Sequence, residues 1–98
     1  MEATEIRQIG IVGGGYVGHG VAQQFAQSGY PVTMYNRTAE SSARAMANID
    51  EGLDLFADAG LASRSERDAA RARISPTTDL AAAVAEADFV VEAVAEQL

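Results

Sequence analysis

The sequence predicts an α/β fold in which a parallel sheet is flanked by helices and is truncated after its fourth strand. Two observations predict it. A segment from Gly10 to Gly20 joins a short apolar run to an amphipathic one and holds six of the nine glycines of the chain. Short apolar runs and stretches of helical periodicity then alternate in the order β-α-β-α-α-β-α-β. Because crossovers between parallel strands are right-handed, this order predicts the strand order 3-2-1-4.

The first βαβ unit is predicted within about thirty residues. The β-branched apolar residues Ile6, Ile9, Ile11 and Val12 lie close together, which is typical of a buried parallel strand. Apolar residues then recur every four positions over residues 17–26, which predicts a helix, and Gly29 is a candidate for its C-terminal cap. Pro31 prevents the helix from continuing, and residues 32–35 read as the second strand.

The turn of this unit has the spacing G-x-G-x-x-G at Gly13, Gly15 and Gly18. Gly13 allows a sharp turn out of the strand, Gly15 allows the backbone to approach a pyrophosphate, and Gly18 allows the helix to pack closely on the sheet. The free N–H groups and the positive dipole end of the helix then favour the anion. Placed between a strand and a helix, the motif predicts a dinucleotide-binding turn of the Rossmann type.

Two helices are predicted after the second strand. Thr38 is a candidate N-cap for a long helix that ends near Gly60. An apolar stripe along this helix is formed by Ala45, Met46, Ile49, Leu53 and Phe56. Ser63 and Glu66 have the spacing of a capping box, which predicts a short helix through about Ala72.

The remaining elements are short. Ile74 and its neighbours predict a strand that Pro76 ends, and residues 77–79 predict the cap of a helix that turns Leu80 and Val84 inward. Residues 89–94 are predicted to form the fourth strand. The whole chain, residues 1–98, is interpreted as a single dinucleotide-binding domain that is a fragment of a longer enzyme.

The composition of the chain argues against several kinds of partner and site. The net charge is −7, and the chain contains neither lysine nor cysteine. An acidic surface argues against nucleic acid and anionic membranes as partners, and the missing thiols argue against disulfides and thiolate metal sites. The only histidine, His19, lacks a nearby second ligand in the sequence, so no metal site is predicted. No apolar run is long enough for a membrane span and the first residues are acidic, which predicts a cytoplasmic protein.

Several longer segments carry a family resemblance. They are Ile9–Gln23 around the glycines, Phe25–Val32, Arg73–Leu80 with its Ile-x-Pro-Thr-Thr-Asp-Leu pattern, and Ala87–Glu96 with Val-Glu-Ala-Val-x-Glu. With these segments, residues 6–98 resemble the N-terminal cofactor-binding domain of the L-3-hydroxyacyl-CoA dehydrogenase family. The last two patterns are much more specific than the glycine motif alone.

The resemblance implies a nicotinamide dinucleotide as cofactor and, in the full-length protein, an acyl-CoA substrate. It places Glu96 near the nicotinamide-side ribose. At the pyrophosphate it places Gly13, Gly15, Tyr16, Val17 and Gly18. It also implies that the catalytic histidine and its orienting carboxylate lie outside this segment, so no catalytic residue is assigned here and the chain alone is expected to be inactive.

At the end of the second strand the chain departs from the family pattern. The family carries an aspartate that accepts hydrogen bonds from the adenosine ribose, whereas this chain has Asn36, followed by Arg37 and Thr38. An amide does not repel a 2′-phosphate and an arginine can pair with one, as in the similar segment of NADP-using 6-phosphogluconate and β-hydroxyacid dehydrogenases. Alternatively, Arg37 stacks on adenine while Asn36 binds the ribose. NAD is therefore the expected cofactor, with NADP as an open alternative.

Three hypotheses on function follow. In the first, the chain is the cofactor domain of a 3-hydroxyacyl-CoA dehydrogenase. In the second, it belongs to an NADP-dependent enzyme that acts on a small hydroxy acid, because the helix over residues 39–59 offers only Arg44 where relatives carry lysines that contact coenzyme A. In the third, it is a stand-alone dinucleotide-binding module. Truncation leaves the apolar strand at residues 89–94 as a sheet edge, which predicts a homodimer or, alternatively, a loosened last strand.

Overall fold

The elements follow one another in the predicted order around a parallel sheet. The structure, a computed structural model, describes residues 7–13 and 16–92. The strands are β1 (Ile9–Val12), β2 (Val32–Tyr35), β3 (Ile74–Thr77) and β4 (Phe89–Glu92), and the helices are α1 (Tyr16–Gln27), α2 (Ala39–Asp58), α3 (Arg64–Ala72) and α4 (Leu80–Ala85). The four strands have the order β3-β2-β1-β4, so the predicted fold class and strand order are confirmed.

The register of the sheet brings the carboxyl ends of all four strands into one row. Val12 of β1 is paired with Tyr35 of β2 on one side and with Glu92 of β4 on the other, and Tyr35 is paired with Thr77 of β3. In a doubly wound sheet, ligands bind beyond this end, where the chain reverses its direction across the sheet. Here that point lies at β1, between β2 and β4.

The core lies between the sheet and the helices α1, α2 and α3. Ile9 and Ile11 of β1 are at most 1% exposed, as expected for a central parallel strand. The buried cluster consists of Ile9, Ile11, Ala22, Ala26, Val32, Met34, Ala45, Met46, Ile49, Leu53, Ala70 and Ile74. The predicted stripe of α2 is thus buried through Leu53, but Phe56 is 40% exposed, because it lies near the helix end beyond the edge of the core.

The predicted caps are present. The Thr38 hydroxyl accepts a hydrogen bond from the Ser41 N–H at 3.0 Å, and the Asp79 carboxylate accepts one from Ala82 at 3.3 Å. In the capping box of α3, the Ser63 N–H donates to the Glu66 carboxylate at 2.8 Å, and this bond lowers the pKa of Glu66. Gly29 and Gly60 follow α1 and α2 with φ of 100° and 76°, the left-handed conformation that favours glycine after a helix.

Two predictions near the last strands are wrong. Pro76 does not end β3 but lies inside it, opposite Met34. β3 is an edge strand, so a proline there need not interrupt the sheet. Leu80 and Val84 of α4 do not point inward, since they are 48% and 39% exposed, and Ala83 is buried instead.

The close approach of α4 to β1 explains the second error. A Cβ atom added to Gly10 would lie 2.6 Å from the backbone oxygen of Ala83 and 3.1 Å from the Cβ of Ala87. Only small residues fit between a helix and a strand at that distance, so the larger side chains of α4 face away. The expected strand ends at Ile6 and at residues 93–94 lie outside the described residues. None of the described helices combines the length and the apolar character needed to cross a membrane.

Ion pairs hold α3 against α2. Arg67 of α3 donates to Asp54 at 2.8 Å and lies 3.6 Å from Asp50, which also accepts a hydrogen bond from Arg71 at 2.6 Å. The Arg67 side chain is only 17% exposed. Burial opposes its charge, but Asp54, Asp50 and Asp68 outweigh that effect and raise the pKa of Arg67.

We expect Arg67→Met to lower the free energy of unfolding by about 1 kcal/mol, because a largely buried guanidinium that bridges two carboxylates is lost. The matched control is Arg44→Met, which removes an exposed pair with Glu40 within α2 and should cost less than about 0.5 kcal/mol. Urea unfolding followed by circular dichroism measures both. Equal losses in the two variants would contradict a special role for the contact between α2 and α3.

Candidate functional site

The glycine turn leaves the carboxyl end of β1. Gly13 has a φ of 94°, which is strained for residues with a Cβ atom. Its N–H donates to the backbone oxygen of Tyr35 at 2.9 Å, so the start of the turn is fixed to the end of β2. The second glycine of the motif, Gly15, lies outside the described residues. The described part of the turn therefore has the conformation and the place that the sequence predicted for Gly13.

The amino end of α1 follows the turn directly. The helix begins at Tyr16, and its first turn contains no acidic residue that would compete with a bound anion. Gly18 in this turn is buried, as expected of a glycine that allows close packing. The side chains of Tyr16 and Val17 are outside the described part of the structure. The amino end of this 12-residue helix offers free backbone N–H groups, which are donors of the kind that bind anions.

Asn36 follows β2 and supplies the second polar element. Its N–H donates to the backbone oxygen of Thr77 at 3.0 Å, and the residue is 7% exposed. The side-chain oxygen Oδ1 has no hydrogen-bond partner within residues 7–13 and 16–92. An unsatisfied buried acceptor costs about 1–3 kcal/mol, so an arriving donor such as a ribose hydroxyl would be bound favourably.

Arg37 and Thr38 follow Asn36, and they differ in whether the side chain is already engaged in a contact. Arg37 is exposed beside the buried Asn36. The hydroxyl of Thr38 is engaged in the cap of α2, with Ser41 Oγ at 2.9 Å as well as the Ser41 N–H at 3.0 Å. The structure therefore brings Gly13, the amino end of α1 and Asn36–Thr38 together. Glu96, the remaining predicted residue, lies outside the described residues.

These residues fit a dinucleotide. A pyrophosphate needs backbone donors without nearby carboxylates, and the amino end of α1 offers them. An adenosine ribose needs a fixed acceptor at the end of the second strand, and Oδ1 of Asn36, to which no described residue donates, is one. The hydrogen bond from Gly13 to Tyr35 sets the two groups at neighbouring strand ends, as one ligand spanning both would require.

Sequence reasoning missed two residues at this end of the molecule. In the sequence, Gly10 is one of several glycines in a glycine-rich segment. In the structure, its close contact with Ala83 determines the position of α4. A glycine inside a β-branched run is the signal that indicates such an approach. Glu92 belongs to the Val-Glu-Ala-Val-x-Glu pattern, and the register places this exposed residue in the row of strand ends beside Val12.

A separate cavity of about 180 Å³ lies near the carboxyl end of α2, lined by residues that include Leu53, Phe56, Leu61 and Arg67. Phe56 lies seventeen positions after Ala39 in the same helix, a distance of roughly 25 Å along the helix axis. The cavity is therefore remote from the row of strand ends and takes no part in the site.

The parallel sheet of order 3-2-1-4, the turn at Gly13 and the acceptor at Asn36 define a dinucleotide-binding domain of the Rossmann class. The family model described as "3-hydroxyacyl-CoA dehydrogenase, NAD binding domain" matches residues 8–98. The chain belongs to this family, and NAD is the cofactor of the domain. The resemblance found in the sequence is thereby confirmed.

Individual proteins that are similar to this chain are dehydrogenases, in agreement with the family match. The chain is 34% identical over 94 residues to a probable 3-hydroxybutyryl-CoA dehydrogenase of Bacillus subtilis, covering 96% of the chain and 32% of that protein. It is 32% identical to an L-carnitine dehydrogenase of Streptomyces griseus, covering 96% and 27%. The crystal structure of (S)-3-hydroxybutyryl-CoA dehydrogenase from Ralstonia eutropha superposes with a TM-score of 0.88 at 31% identity, covering 95% and 32%. The chain thus spans about a third of the length of such relatives.

Proposed function

We propose that residues 1–98 form the NAD-binding domain of a longer dehydrogenase that transfers a hydride between NAD and a 3-hydroxyacyl-CoA. The observation that carries this proposal is the buried Oδ1 of Asn36, which has no hydrogen-bond partner among the described residues and lies beside a glycine turn that leads to the amino end of α1. The family match over residues 8–98 supports it. The bound nicotinamide supplies the acceptor or donor of the hydride.

The residues of this chain bind and orient the cofactor. Gly13 forms the sharp turn after β1, Gly15 lets the backbone approach the pyrophosphate, and Gly18 lets α1 pack closely on the sheet. The free N–H groups at the amino end of α1 then bind the pyrophosphate. Asn36 accepts a hydrogen bond from the adenosine ribose. The same proposal assigns cofactor contacts to the remaining residues predicted from the sequence: Tyr16, Val17, Arg37, Thr38 and Glu96.

A general base for the hydroxyl proton is not assigned within this chain. Such a base is typically a histidine oriented by a carboxylate, within hydrogen-bond reach of the substrate. The only histidine of the sequence, His19, is half-buried on α1, the helix assigned to the pyrophosphate. We therefore assign the base, like the acyl-CoA site, to the part of the enzyme beyond this domain.

The experiment is a paired assay of the 98-residue chain. We expect it to bind NADH saturably and yet to show no turnover with NAD and 3-hydroxybutyryl-CoA, because it binds the cofactor without a base for the substrate. Calorimetry measures the binding, and NADH absorbance measures the turnover, with a protein-free reaction as the control. Turnover above that control would contradict the assignment of the base to another domain, and absent NADH binding would contradict the proposal as a whole.

A second candidate is an enzyme that acts on a small hydroxy acid free of coenzyme A. Arg44 is the only cation of α2, and it is paired with Glu40 at 3.2 Å rather than free to meet a coenzyme A phosphate. The relative from Streptomyces griseus is an L-carnitine dehydrogenase, a name that carries no coenzyme A thioester. Comparing kcat/KM for 3-hydroxybutyryl-CoA and free 3-hydroxybutyrate, in the longer protein that contains this domain, separates the two candidates.

The homodimer and the cytoplasmic location remain predictions. The exposed apolar side chains of Phe89 and Val90 on the edge strand β4, 47% and 42% exposed, support self-association of the isolated chain. The cytoplasmic location rests on the sequence alone.

A further inference from the structure

One of the described arginines lies at the end of the sheet where the cofactor is proposed to bind, and it forms no ion pair with another described residue. Arg37 is exposed, directly follows the buried Asn36, and forms no ion pair with any residue in the described ranges 7–13 and 16–92. In a chain with a net charge of −7, a cation with no carboxylate partner among the described residues can pair with an anionic ligand.

The other described arginines are engaged or lie elsewhere. Ion pairs or hydrogen bonds join Arg44 to Glu40, Arg64 and Arg67 to Asp54, Arg71 to Asp50, and Arg73 to the backbone oxygen of Ala26. Arg7 precedes β1 and so lies at the opposite end of the sheet. Among the described arginines, Arg37 is thus the one that lies at the carboxyl end of β2 and forms no ion pair with another described residue.

The side chain of Asn36, which directly precedes Arg37, is compatible with a 2′-phosphate. A carboxylate at the position of Asn36 would accept hydrogen bonds from ribose hydroxyls and would repel a 2′-phosphate, whereas an amide carries no charge and also offers N–H donors. Asn36 is 7% exposed, and its Oδ1 is unpaired within the described residues. Glu40, the acid in the first turn of α2, is 86% exposed and is paired with Arg44 at 3.2 Å.

We propose that this site accepts the 2′-phosphate of NADP(H) as well as NAD(H), with Arg37 pairing with the phosphate and Asn36 permitting it. The inference rests on the proposed function, since it specifies the adenosine end of the same cofactor site. It assigns Arg37 and Asn36 as residues that determine cofactor specificity.

The test is calorimetric titration of the 98-residue chain with two pairs of ligands. One pair is NADH and NADPH, and the other is 5′-AMP and 2′,5′-ADP, which isolates the adenosine end. The variants are Arg37→Ala and Asn36→Asp. Arg64→Ala is the matched control, because it removes one positive charge from the exposed surface of α3, where the side chain is 73% exposed.

We expect wild-type protein to bind NADPH within about tenfold of NADH, and Arg37→Ala to weaken NADPH and 2′,5′-ADP by about tenfold or more, the scale of a charge-assisted hydrogen bond. NADH and 5′-AMP should lose clearly less affinity than their phosphorylated counterparts, since neither carries the 2′-phosphate. Asn36→Asp should likewise weaken the phosphorylated ligands selectively, and Arg64→Ala should change none of the four affinities.

Each contrary outcome has a distinct meaning. Binding of NADH without NADPH by the wild-type chain would overturn the inference and leave the proposed function intact. Equal losses of NADH and NADPH in Arg37→Ala would also overturn it, because Arg37 would then act on adenine or on the fold. Failure of the folded wild-type chain, checked by circular dichroism, to bind any of the four ligands would contradict the proposed function itself.

Discussion

Gly10→Val is expected to lower the free energy of unfolding by more than about 3 kcal/mol, the upper range for overpacking a buried site. The first added atom, Cβ, would lie 2.6 Å from the backbone oxygen of Ala83, which cannot rotate away as a side chain can. Gly10 is also paired with both Thr33 and Val90, so β1 cannot shift without disturbing two strands. Urea unfolding followed by circular dichroism measures the loss.

Gly20→Ala is the matched control for Gly10→Val. Gly20 is exposed on α1, and a Cβ atom there would meet nothing within 4 Å. Alanine in a helix is favoured over glycine by up to about 1 kcal/mol, so this variant should be as stable as the wild type or slightly more stable. Wild-type stability of Gly10→Val would show that α4 does not lie against β1 as described.

Gly15→Val is expected to weaken NADH binding by roughly hundredfold or more, because a side chain at this position keeps the pyrophosphate from the backbone, and two charge-assisted hydrogen bonds lost together have that effect. The fold should survive, since the motif assigns Gly15 to ligand approach and not to packing. Calorimetry with NADH measures the affinity, and thermal unfolding checks the fold.

Gly20→Ala again serves as the control, here for changes within the same glycine-rich segment. It should keep the NADH affinity of the wild type, because Gly20 lies on the exposed face of α1, beyond the first turn. Wild-type affinity in Gly15→Val would mean that the glycine turn does not hold the pyrophosphate, and the assignment of the whole motif would fail with it.

Much of the fold could be predicted because local signals determine its elements. β-branched runs place β1 and β2, and capping residues such as Thr38 and Ser63 determine where α2 and α3 begin. The strand order followed from the order of the elements and the handedness of crossovers. Each of these properties acts within a few residues or applies to all parallel sheets.

The errors arose where distant parts of the chain meet. Pro76 is tolerated because β3 is an edge strand, and α4 turns Leu80 outward because Ala83 packs against Gly10. Neither fact can be read from the residues next to the error. At the site, the sequence named Asn36 and Arg37, but only the structure shows that Asn36 is buried with an unpaired oxygen among the described residues and that Arg37 has no ion pair among them.

The central claim is that NAD binds across the carboxyl ends of the strands, and an NMR titration of the isotope-labelled chain with NAD tests it most directly. We expect saturable shifts of backbone amide signals at Gly13, in the first turn of α1 and at Asn36–Thr38, with little change on α3. Shifts confined to the cavity lined by Leu53, Phe56 and Arg67, or no shifts from a folded chain, would contradict the claim.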